Sequence, residues 1–354
     1  MENIVIAGAG IVGANIAYQL AARGTKGVVL ADYGTVACGS TGKAIGGVRQ
    51  QFSTAEEVKL TQISIQFFES LGSEFFQQYG YLFFATTERG LAELNSRQRK
   101  QSALGVPVEN VSPAQIAALA AGININDIRG GVYCSKDGLA DPPAVAREIV
   151  KRAAAMGVEV RERVDPLAIE ANTYVIASGC YSVGMAARFD IILPIRPLVR
   201  QLIETEPILQ LPERLPMLIE VESGFHFRRK RDRLIVAMNE SQPRWQWEQT
   251  VDTTVIPDRM RRLRERFAPA IDTNVSRAWA GLYDMTPDAQ PILGKVSGNV
   301  FVACGFSGHG FMQSPAVGRA IAEEILDGAS TIDISHFRLD RFERGVVFHD
   351  DVVL

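Results

Sequence analysis

Apolar and polar positions near the N-terminus predict a strand, a tight turn, a helix and a second strand. The apolar run NIVIA (3–7) leads into the glycine turn GAGIVG (8–13), and apolar residues then recur at helical spacing. Gly24 closes this helix, and a second apolar run, VVLAD (28–32), predicts a buried strand that ends at Asp32. Together these segments predict a β-α-β unit.

The middle of the chain shows a different pattern. Short apolar runs between turns predict strands, and helical spacing predicts helices near 88–104 and 257–268. The predicted strands are GYLFFATT (80–87), GGVYCS (130–135), LVRQLIETE (198–206), GFHFRR (224–229) and RLIVAMN (233–239). This succession predicts a mixed sheet.

The alternation of strands and helices returns in later parts of the chain. A helix is predicted over 141–156, with prolines at its start and Gly157 after its end. The segment 172–182 predicts a buried strand that ends in a glycine turn, and 299–328 repeats the order of strand, glycine-rich turn and helix. A further long helix is predicted over 56–76.

These patterns predict an α/β (α+β) fold with two domains, one of which interrupts the other. The chain has 354 residues, which exceeds the size at which single cores stop growing. We expect a Rossmann-like nucleotide-binding domain from residues 1–76, 141–190 and 288–354. An inserted domain with a mixed or antiparallel sheet is expected from residues 77–140 and 191–287, and it would bind the substrate.

Charge and cysteine usage exclude several partners. The formal net charge of −3 and the pI near 5.9 give no bulk attraction to nucleic acid or anionic lipid. No apolar run reaches the roughly 18 residues that a membrane span needs. The four cysteines lie far apart without a C-x-x-C pair, which argues against a metal site and fits a reducing compartment. We therefore expect a soluble cytoplasmic protein without nucleic acid, membrane span or metal.

The first glycine turn fits a dinucleotide. Gly8, Gly10 and Gly13 stand where a tight turn, a close pyrophosphate and the packing of helix on strand require glycine. Asp32 follows Gly13 by nineteen residues and ends the second strand, where a carboxylate can accept ribose hydroxyls. This fingerprint does not distinguish NAD from FAD, and a turn that serves only packing is the alternative.

The loop after the second strand could also contact the cofactor. The segment ACGSTGKAIGGVRQQF (37–52) could lie along a bound dinucleotide, with Ser40, Thr41 and backbone N–H groups near phosphate. Gly46 and Gly47 would let the backbone approach a flat ring. A flexible surface linker is the alternative.

Five motifs follow one another along nearly the whole chain. They are GAGIVG (8–13), GSTGKAIGGVRQQF (39–52), VIASGCYS (175–182), WAGLYDMTPDAQPILG (279–294) and CGFSGHGFMQSPAVGRAIAEEI (304–325). With these motifs the chain resembles the FAD-dependent D-amino-acid oxidase superfamily. The resemblance is strongest to the branch of glycine oxidase, monomeric sarcosine oxidase, the sarcosine oxidase β subunit and dye-linked proline dehydrogenase.

The resemblance implies a bound FAD and the residues that hold it. Asp32 would hold the adenosine ribose, and residues around Val164 would meet the adenine. The residues from Gly308 to Met312 would lie beside the pyrimidine edge of the flavin. The full set of candidate cofactor residues is Gly8, Gly10, Ile11, Val12, Gly13, Asp32, Tyr33, Ser40, Thr41, Lys43, Ala44, Gly46, Gly47, Val164, Ala177, Ser178, Gly179, Gly281, Gly305, Gly308, His309, Gly310, Phe311 and Met312.

Two details concern the flavin itself. A helix expected to begin near Pro315 would direct its positive end at the preceding glycine turn, where reduced flavin carries negative charge. His309 could add a donor there or merely cap the turn. Gly281 stands where sarcosine oxidase attaches its flavin to a cysteine, so the FAD is expected to be non-covalent.

Arg49, Tyr283 and His226 are the candidate catalytic residues. The resemblance implies that Arg49 forms a fork with the substrate carboxylate, and a structural ion pair is the alternative. Tyr283 matches a family tyrosine that lines the substrate cavity, and His226 falls on a strand that should flank the same cavity. Both could instead be packing residues, and for His226 packing is favoured.

The chain departs from the oxidases of this family at two lysines. Met312 stands where sarcosine oxidase has a lysine that pairs with the substrate carboxylate. The strand 233–239 has no lysine where the oxidase has one that is thought to assist reaction with oxygen. Electrons are therefore expected to pass to a carrier or dye more readily than to O₂.

The sequence thus predicts an FAD-dependent amino acid dehydrogenase or oxidase. It would oxidise the C–N bond of a small amino acid substrate by hydride transfer to flavin N5, giving an imine. The expected substrate is a secondary amine such as proline, sarcosine or another N-substituted glycine. The alternatives are a flavin-binding subunit of a hetero-oligomeric electron-transfer complex and an FAD-dependent 2-hydroxy-acid dehydrogenase. Both a homo-oligomer and a hetero-oligomer are compatible with these features.

Overall fold

Residues 3–346 are described in a computed structural model, and their strands form three sheets. The strands are β1 (Ile4–Ala7), β2 (Val28–Asp32), β3 (Gly47–Val48), β4 (Phe76–Gln77), β5 (Tyr81–Ala85), β6 (Val108–Val111), β7 (Gly130–Cys134), β8 (Gly138–Ala140), β9 (Glu159–Glu162), β10 (Thr173–Ile176), β11 (Arg196–Thr205), β12 (Met217–Glu220), β13 (His226–Lys230), β14 (Arg233–Ala237), β15 (Val275–Met285), β16 (Ile292–Ser297) and β17 (Val300–Cys304). The helices are α1 (Ile11–Ala22), α2 (Ser40–Lys43), α3 (Ala55–Ser70), α4 (Glu88–Ala103), α5 (Pro113–Leu119), α6 (Pro142–Ala155), α7 (Ser182–Ala187), α8 (Ile256–Arg266) and α9 (Gly310–Asp327).

The first sheet has six strands in the order β16-β17-β10-β1-β2-β9. All its pairings are parallel except that of β16 with β17. Its central strand β1 is buried along its whole length, as expected where helices cover both faces of a parallel sheet. Helices α1 and α9 pack so closely that a Cβ at Gly318 of α9 would clash with Asn15 of α1.

The second sheet has eight strands in the order β15-β11-β14-β13-β12-β5-β7-β6. Its pairings are antiparallel except that of β12 with β5, so the sheet is mixed. One face packs on a hydrophobic cluster that includes Phe225, Phe227 and Phe267. These two sheets confirm the predicted α/β fold with a nucleotide-binding sheet and a mixed sheet.

The strands of the two large sheets fall in the residue ranges that the sequence predicts for the two domains. The small third sheet, with the order β3-β8-β4, joins strands from both sets of ranges. The division into two domains itself stays a prediction. Its last range, 288–354, extends to residues 347–354, which lie outside the described residues. Among the helices of residues 3–346, none has the length and apolar character needed to cross a bilayer.

The helix predicted over 56–76 was too long at its C-terminal end. Helix α3 ends at Ser70, because the chain turns at Gly72, whose φ of +93° is not helical. After this turn, β4 pairs with β8, so Phe76 lies in a strand.

The start of α9 also differs from the prediction. We expected a helix from near Pro315, but α9 begins at Gly310 and contains the proline. A proline has no N–H, so Pro315 cannot donate to the carbonyl of Phe311. The hydroxyl of Ser314 donates to that carbonyl instead, at 2.9 Å, and the helix continues.

Candidate functional site

A cavity of about 910 Å³ lies between the two large sheets. One wall is formed by the turns that follow β1, β10 and β17, at the carboxyl ends of the strands of the six-stranded sheet. In open α/β sheets, ligands bind in the crevice at this edge. The volume lies near the upper end of the roughly 300–1,000 Å³ of small-molecule sites.

The opposite wall is one face of the eight-stranded sheet. Side chains alternate between the faces of a strand, so every second residue points into the cavity. The residues of this face are Tyr81 on β5, Met217 and Ile219 on β12, His226 on β13, Ala237 on β14, Arg200 and Leu202 on β11, and Gly281 and Tyr283 on β15.

Most of the predicted site residues meet in this cavity. All candidate cofactor residues line it except Gly13, Val164 and Gly305, and the catalytic candidates Arg49, Tyr283 and His226 line it too. These residues come from turns and strands that are far apart in the sequence.

The three residues that do not line the cavity make other contacts. Gly13 packs against the carbonyl of Gly8, where a Cβ would clash, as the sequence predicted for the third glycine of the turn. The side chain of Val164 packs against a cluster that includes Val29, and its backbone N–H donates to the carbonyl of Asp32 at 3.0 Å. The N–H of Gly305 donates to the carboxylate of Asp284 at 2.7 Å. Val164 and Gly305 thus do not line the cavity, and their contacts with the cofactor stay predictions.

The glycine turn after β1 presents backbone N–H groups to the cavity. Gly8 has a φ of +119°, and a Cβ there would lie 2.5 Å from the carbonyl oxygen of Ala177. Helix α1 begins after Gly10, which has no side chain to cap it, and its first turn holds no acidic residue. The positive end of α1 is therefore directed at the cavity, which suits a phosphate.

Asp32 is held in place by the backbone of this region. One of its carboxylate oxygens accepts the N–H of Ala9 and the other accepts the N–H of Gly34, both at 2.7 Å. Each oxygen keeps a further lone pair for a ligand hydroxyl. Asp32 can thus contact a ribose without changing its orientation.

The loop from 37 to 52 packs against several elements of the protein and does not extend into solvent as a linker. Ser40 donates its hydroxyl to the carbonyl of Leu282 at 2.8 Å, and Thr41 accepts the N–H of Ile11 at 3.0 Å. The indole N–H of Trp279 donates to the carbonyl of Lys43 at 3.0 Å.

A second helix directs its positive end at the cavity. Helix α9 begins at Gly310, and its first N–H groups have no side-chain cap. Gly308 precedes it with a φ of +98°, and a Cβ at Gly308 would overlap the ring of Tyr283. The glycine lets the tyrosine ring lie directly on this turn.

Arg49 is 2% exposed and lines the cavity. Its guanidinium donates to the carbonyl of Gln51, lies 4.2 Å from the ring centre of Phe52 and places Nη2 3.3 Å from Nε2 of His309. His309 in turn places Nδ1 3.8 Å from Oε1 of the buried Glu57. His309 thus stands between an arginine and a carboxylate, and its side chain does not cap α9.

His226 is buried and neutral near pH 7. Its Nδ1 lies 2.8 Å from the carbonyl of Gly224 and must donate to it, because a carbonyl can only accept. Burial lowers the pKa of His226 to about 4. The histidine is therefore satisfied by the backbone, as the packing alternative predicts, and it also lines the cavity with Nε2 as an acceptor.

Sequence reasoning missed several residues of the cavity wall. Arg200 lies on β11, and its guanidinium is 5.7 Å from the ring centre of Tyr283. Asp284 follows Tyr283, and burial raises the pKa of its carboxyl to about 6. Asn239 and Gln249 come from the segment after β14. The apolar alternation of LVRQLIETE could have pointed to Arg200 as a residue on one face of a strand.

A family model described as "DAO: FAD dependent oxidoreductase" matches residues 3–324. The chain belongs to this family. It is an FAD-dependent oxidoreductase, and the resemblance stated from the motifs is confirmed, as is the FAD cofactor.

Curated relatives of this DAO-family oxidoreductase are distant in sequence. FAD-dependent oxidoreductase domain-containing protein 1 of Xenopus laevis is 28% identical, over 96% of this chain and 82% of the relative. Human mitochondrial dimethylglycine dehydrogenase is 25% identical over 96% of this chain. The chain spans only 44% of the length of that dehydrogenase.

Solved structures of the same fold cover almost the whole DAO-family chain. L-proline dehydrogenase from P. horikoshii superposes with a TM-score of 0.92 at 25% identity, over 98% of this chain and 99% of the other. Glycine oxidase from Geobacillus kaustophilus superposes with a TM-score of 0.86 at 21% identity, over 96% of this chain and 98% of the other. The second likeness shows the fold alone.

The cavity has the groups that FAD requires. The positive end of α1 suits the pyrophosphate, and the carboxylate of Asp32 suits a ribose. The uncapped start of α9 suits a ring system that gains negative charge on reduction. Gly281 and Gly308 keep the wall free of side chains that would fill this space.

Proposed function

We propose that this oxidoreductase oxidises the carbon–nitrogen bond of a small amino acid and gives an imine. The favoured substrates are secondary amines such as proline, sarcosine or another N-substituted glycine. The observation that carries this proposal is the buried cation of Arg49 in the wall of a cavity that also holds a neutral histidine. FAD, when bound, supplies the two-electron acceptor for the oxidation.

Arg49 binds the substrate carboxylate in this proposal. A guanidinium can hold a carboxylate through two parallel N–H donors. The ring of Phe52 and the imidazole of His309 fix its plane, and Glu57 lies behind His309. This packing reduces the freedom that Arg49 must lose when the substrate binds.

His226 and Tyr283 line the part of the substrate site that faces the amine in this proposal. Neutral His226 adds no positive charge beside the amine, so the amine can lose its proton before oxidation. Nε2 of His226 can accept a hydrogen bond from the substrate nitrogen. The ring of Tyr283 limits the space above Gly308 and orients the substrate.

The names of relatives support an amino acid substrate. They include dimethylglycine dehydrogenase and sarcosine dehydrogenase, and a structure of an L-proline dehydrogenase superposes over almost the whole chain. We carry this substrate class to the present chain as part of the proposal.

Anaerobic reduction of the bound flavin tests this function. Proline, sarcosine, glycine, other amino acids and lactate are added in turn while the visible flavin absorbance is recorded. Bleaching by an amino acid, with an imine or its hydrolysis product recovered, is the expected result. Bleaching by lactate alone would replace the proposal with 2-hydroxy-acid oxidation.

Readmission of air then tests the expected preference for a carrier or dye over O₂. Slow return of the flavin absorbance in air, and fast return with an added dye, is expected. Fast reoxidation by air would identify an oxidase.

A second candidate is a flavin-binding subunit of a larger electron-transfer complex. Tyr181 lines the cavity, and the ring centre of Trp247 lies 5.5 Å from that of Tyr181. The two residues are 54% and 47% exposed, respectively. Exposed aromatic groups of this kind favour a partner surface. Sedimentation of the isolated protein and of the same protein purified from its source would separate the two candidates. The cytoplasmic location stays a prediction, which cell fractionation would test.

A further inference from the structure

Arg200 is a second cation in the cavity wall, in addition to Arg49. It lies on β11 between β14 and β15, and its side chain is 17% exposed. Its guanidinium stands 5.7 Å from the ring centre of Tyr283. The same tyrosine ring lies on the turn at Gly308, next to His309, which contacts Arg49.

The charge of Arg200 is not balanced by its carboxylate partner. Arg200 pairs with Glu240 at 2.9 Å, but Glu240 also pairs with Arg259 at 3.0 Å. Two guanidinium groups thus share one carboxylate, and one positive charge remains. Arg259 is 3% exposed in its side chain and does not line the cavity, so an anion can reach this pair only through Arg200.

Arg200 also has a donor that the protein does not use. Within residues 3–346, its Nε is buried without a hydrogen-bond partner. An unsatisfied buried donor is costly. Because Nε has almost no exposed surface, a ligand in the cavity would bind the guanidinium through its other nitrogens, of which Nη1 donates to Glu240. The excess positive charge favours an anionic ligand over a neutral one.

The two cations approach the cavity from different sides. Arg49 lies 5.8 Å from the ring centre of Phe83 on β5, whereas Arg200 is on β11. β5 and β11 are four strands apart, but both side chains extend toward Tyr283. Burial raises the pKa of Tyr283, and the charges of Arg200 and Arg49 both counteract this rise, so both lie near the same ring. His226 lies between them on β13, and after burial the positive charges of Arg200, Arg259 and Arg49 also lower its pKa.

We propose that Arg200 binds a second carboxylate of the substrate. The preferred substrate is then an N-carboxyalkyl amino acid, with one carboxylate on Arg49, the other on Arg200 and the amine between them. This inference rests on the proposed function, because it assigns the first carboxylate to Arg49. Arg200 is a specificity-determining residue and takes no part in the transfer of electrons.

Equilibrium binding of two thioethers to the FAD-loaded protein tests the inference without turnover. Thiodiacetate has two carboxylates and methylthioacetate has one, and neither has an amine to oxidise. Calorimetric titration is expected to show that the diacid binds at least about tenfold more tightly, which corresponds to about 1.4 kcal/mol. Equal affinities in the unsubstituted protein would overturn the inference.

Three variants assign the preference to a residue. Arg200→Gln is expected to abolish the preference for the diacid, and Arg200→Lys is expected to retain part of it. Arg200→Gln leaves Glu240 and Arg259 as a one-to-one pair, so the fold should persist. Arg196→Gln removes the same charge from an exposed position on the same strand, outside the cavity wall, and should keep the full preference. If Arg200→Gln weakens both thioethers equally, Arg200 supports the wall or the flavin and the inference is wrong.

The corresponding amines separate this inference from the proposed function. Iminodiacetate and sarcosine are compared by their rates of anaerobic flavin bleaching. If neither bleaches the flavin but the diacid preference depends on Arg200, the proposed function fails and the second carboxylate site stands. If sarcosine bleaches the flavin and the thioethers bind alike, the proposed function stands and this inference fails.

Discussion

Gly308→Ala should destabilise the protein through two separate effects. The φ of Gly308 is +98°, which costs a residue with a Cβ about 1–2 kcal/mol. The new Cβ would also overlap the ring of Tyr283, and overpacking of this kind costs about 1–3 kcal/mol. The expected loss in the free energy of unfolding is therefore about 2–5 kcal/mol.

Gly24→Ala provides a matched control for the backbone effect. Gly24 has a φ of +82°, but a Cβ there meets no atom within 4 Å. Its substitution should cost only the backbone part, about 1–2 kcal/mol. Chemical denaturation of the flavin-free proteins measures both losses without a contribution from FAD binding.

A double variant isolates the contact with the ring. In a Tyr283→Ala background, Gly308→Ala should cost no more than Gly24→Ala, because the overlapping ring is absent. A coupling free energy of about 1–3 kcal/mol between the two positions is expected from the cycle. Equal losses for Gly308→Ala and Gly24→Ala in the original background would refute the contact between this turn and Tyr283.

Four further predictions follow from the site and its support. Arg49→Ala should raise the KM for the amino acid substrate strongly while FAD stays bound, and an unchanged KM in steady-state assays would remove Arg49 as the carboxylate anchor. The raised pKa of Asp284, about 6, means that its contribution to stability is full below its unfolded pKa near 3.8 and is lost as pH rises through 6. Asp284→Asn should therefore reduce the fall of the unfolding free energy between about pH 4 and 6. If the unfolding free energy of the variant falls as steeply over this range as that of the unsubstituted protein, the prediction is contradicted. Because Gly281 has no side chain, acid precipitation should release all the flavin, and flavin retained in the pellet would show a covalent link elsewhere. Arg341→Met leaves the buried carboxylate of Asp288 without its ion pair at 2.8 Å and should cost about 3–5 kcal/mol in denaturation experiments, whereas a loss below 1 kcal/mol would show that the carboxylate finds another partner.

Local signals in the sequence pointed to several of the turn residues that line the cavity. The glycine turn and Asp32 lie within one β-α-β unit, so their spacing fixes their geometry without reference to the rest of the chain. Gly308 and Gly310 were found through the resemblance, with support from the helix expected after their turn. Arg49 was found through the resemblance and not through any local rule.

The substrate side depends on long-range pairing, which one sequence does not reveal. Arg200 lies between Val199 and Gln201 in LVRQLIETE, and an arginine on a strand would normally face water. Only the pairing of β11 with β14 and β15 turns its face toward the cavity. Strand β15 was not anticipated, since Gly281 lowers its intrinsic strand propensity, but ten residues of β11 pair with it and stabilise it.

The helix that follows β17 was placed too late because a proline usually marks the first turn of a helix. Pro315 is tolerated inside α9, since the hydroxyl of Ser314 satisfies the carbonyl that the proline leaves without a donor. The contribution of a single hydroxyl thus decides where the positive end of this helix lies.

The central strands of the six-stranded sheet come from distant parts of the chain, and this has a consequence for biosynthesis. Strands β1, β10 and β17 lie near residues 4, 173 and 300, yet they are neighbours in the sheet. A ribosome that adds roughly 5–20 residues per second needs tens of seconds to pass from the first of these strands to the last. The nascent chain must keep β1 and β10 from pairing wrongly during this time, and the cavity wall is complete only after β17 and α9 have left the exit tunnel.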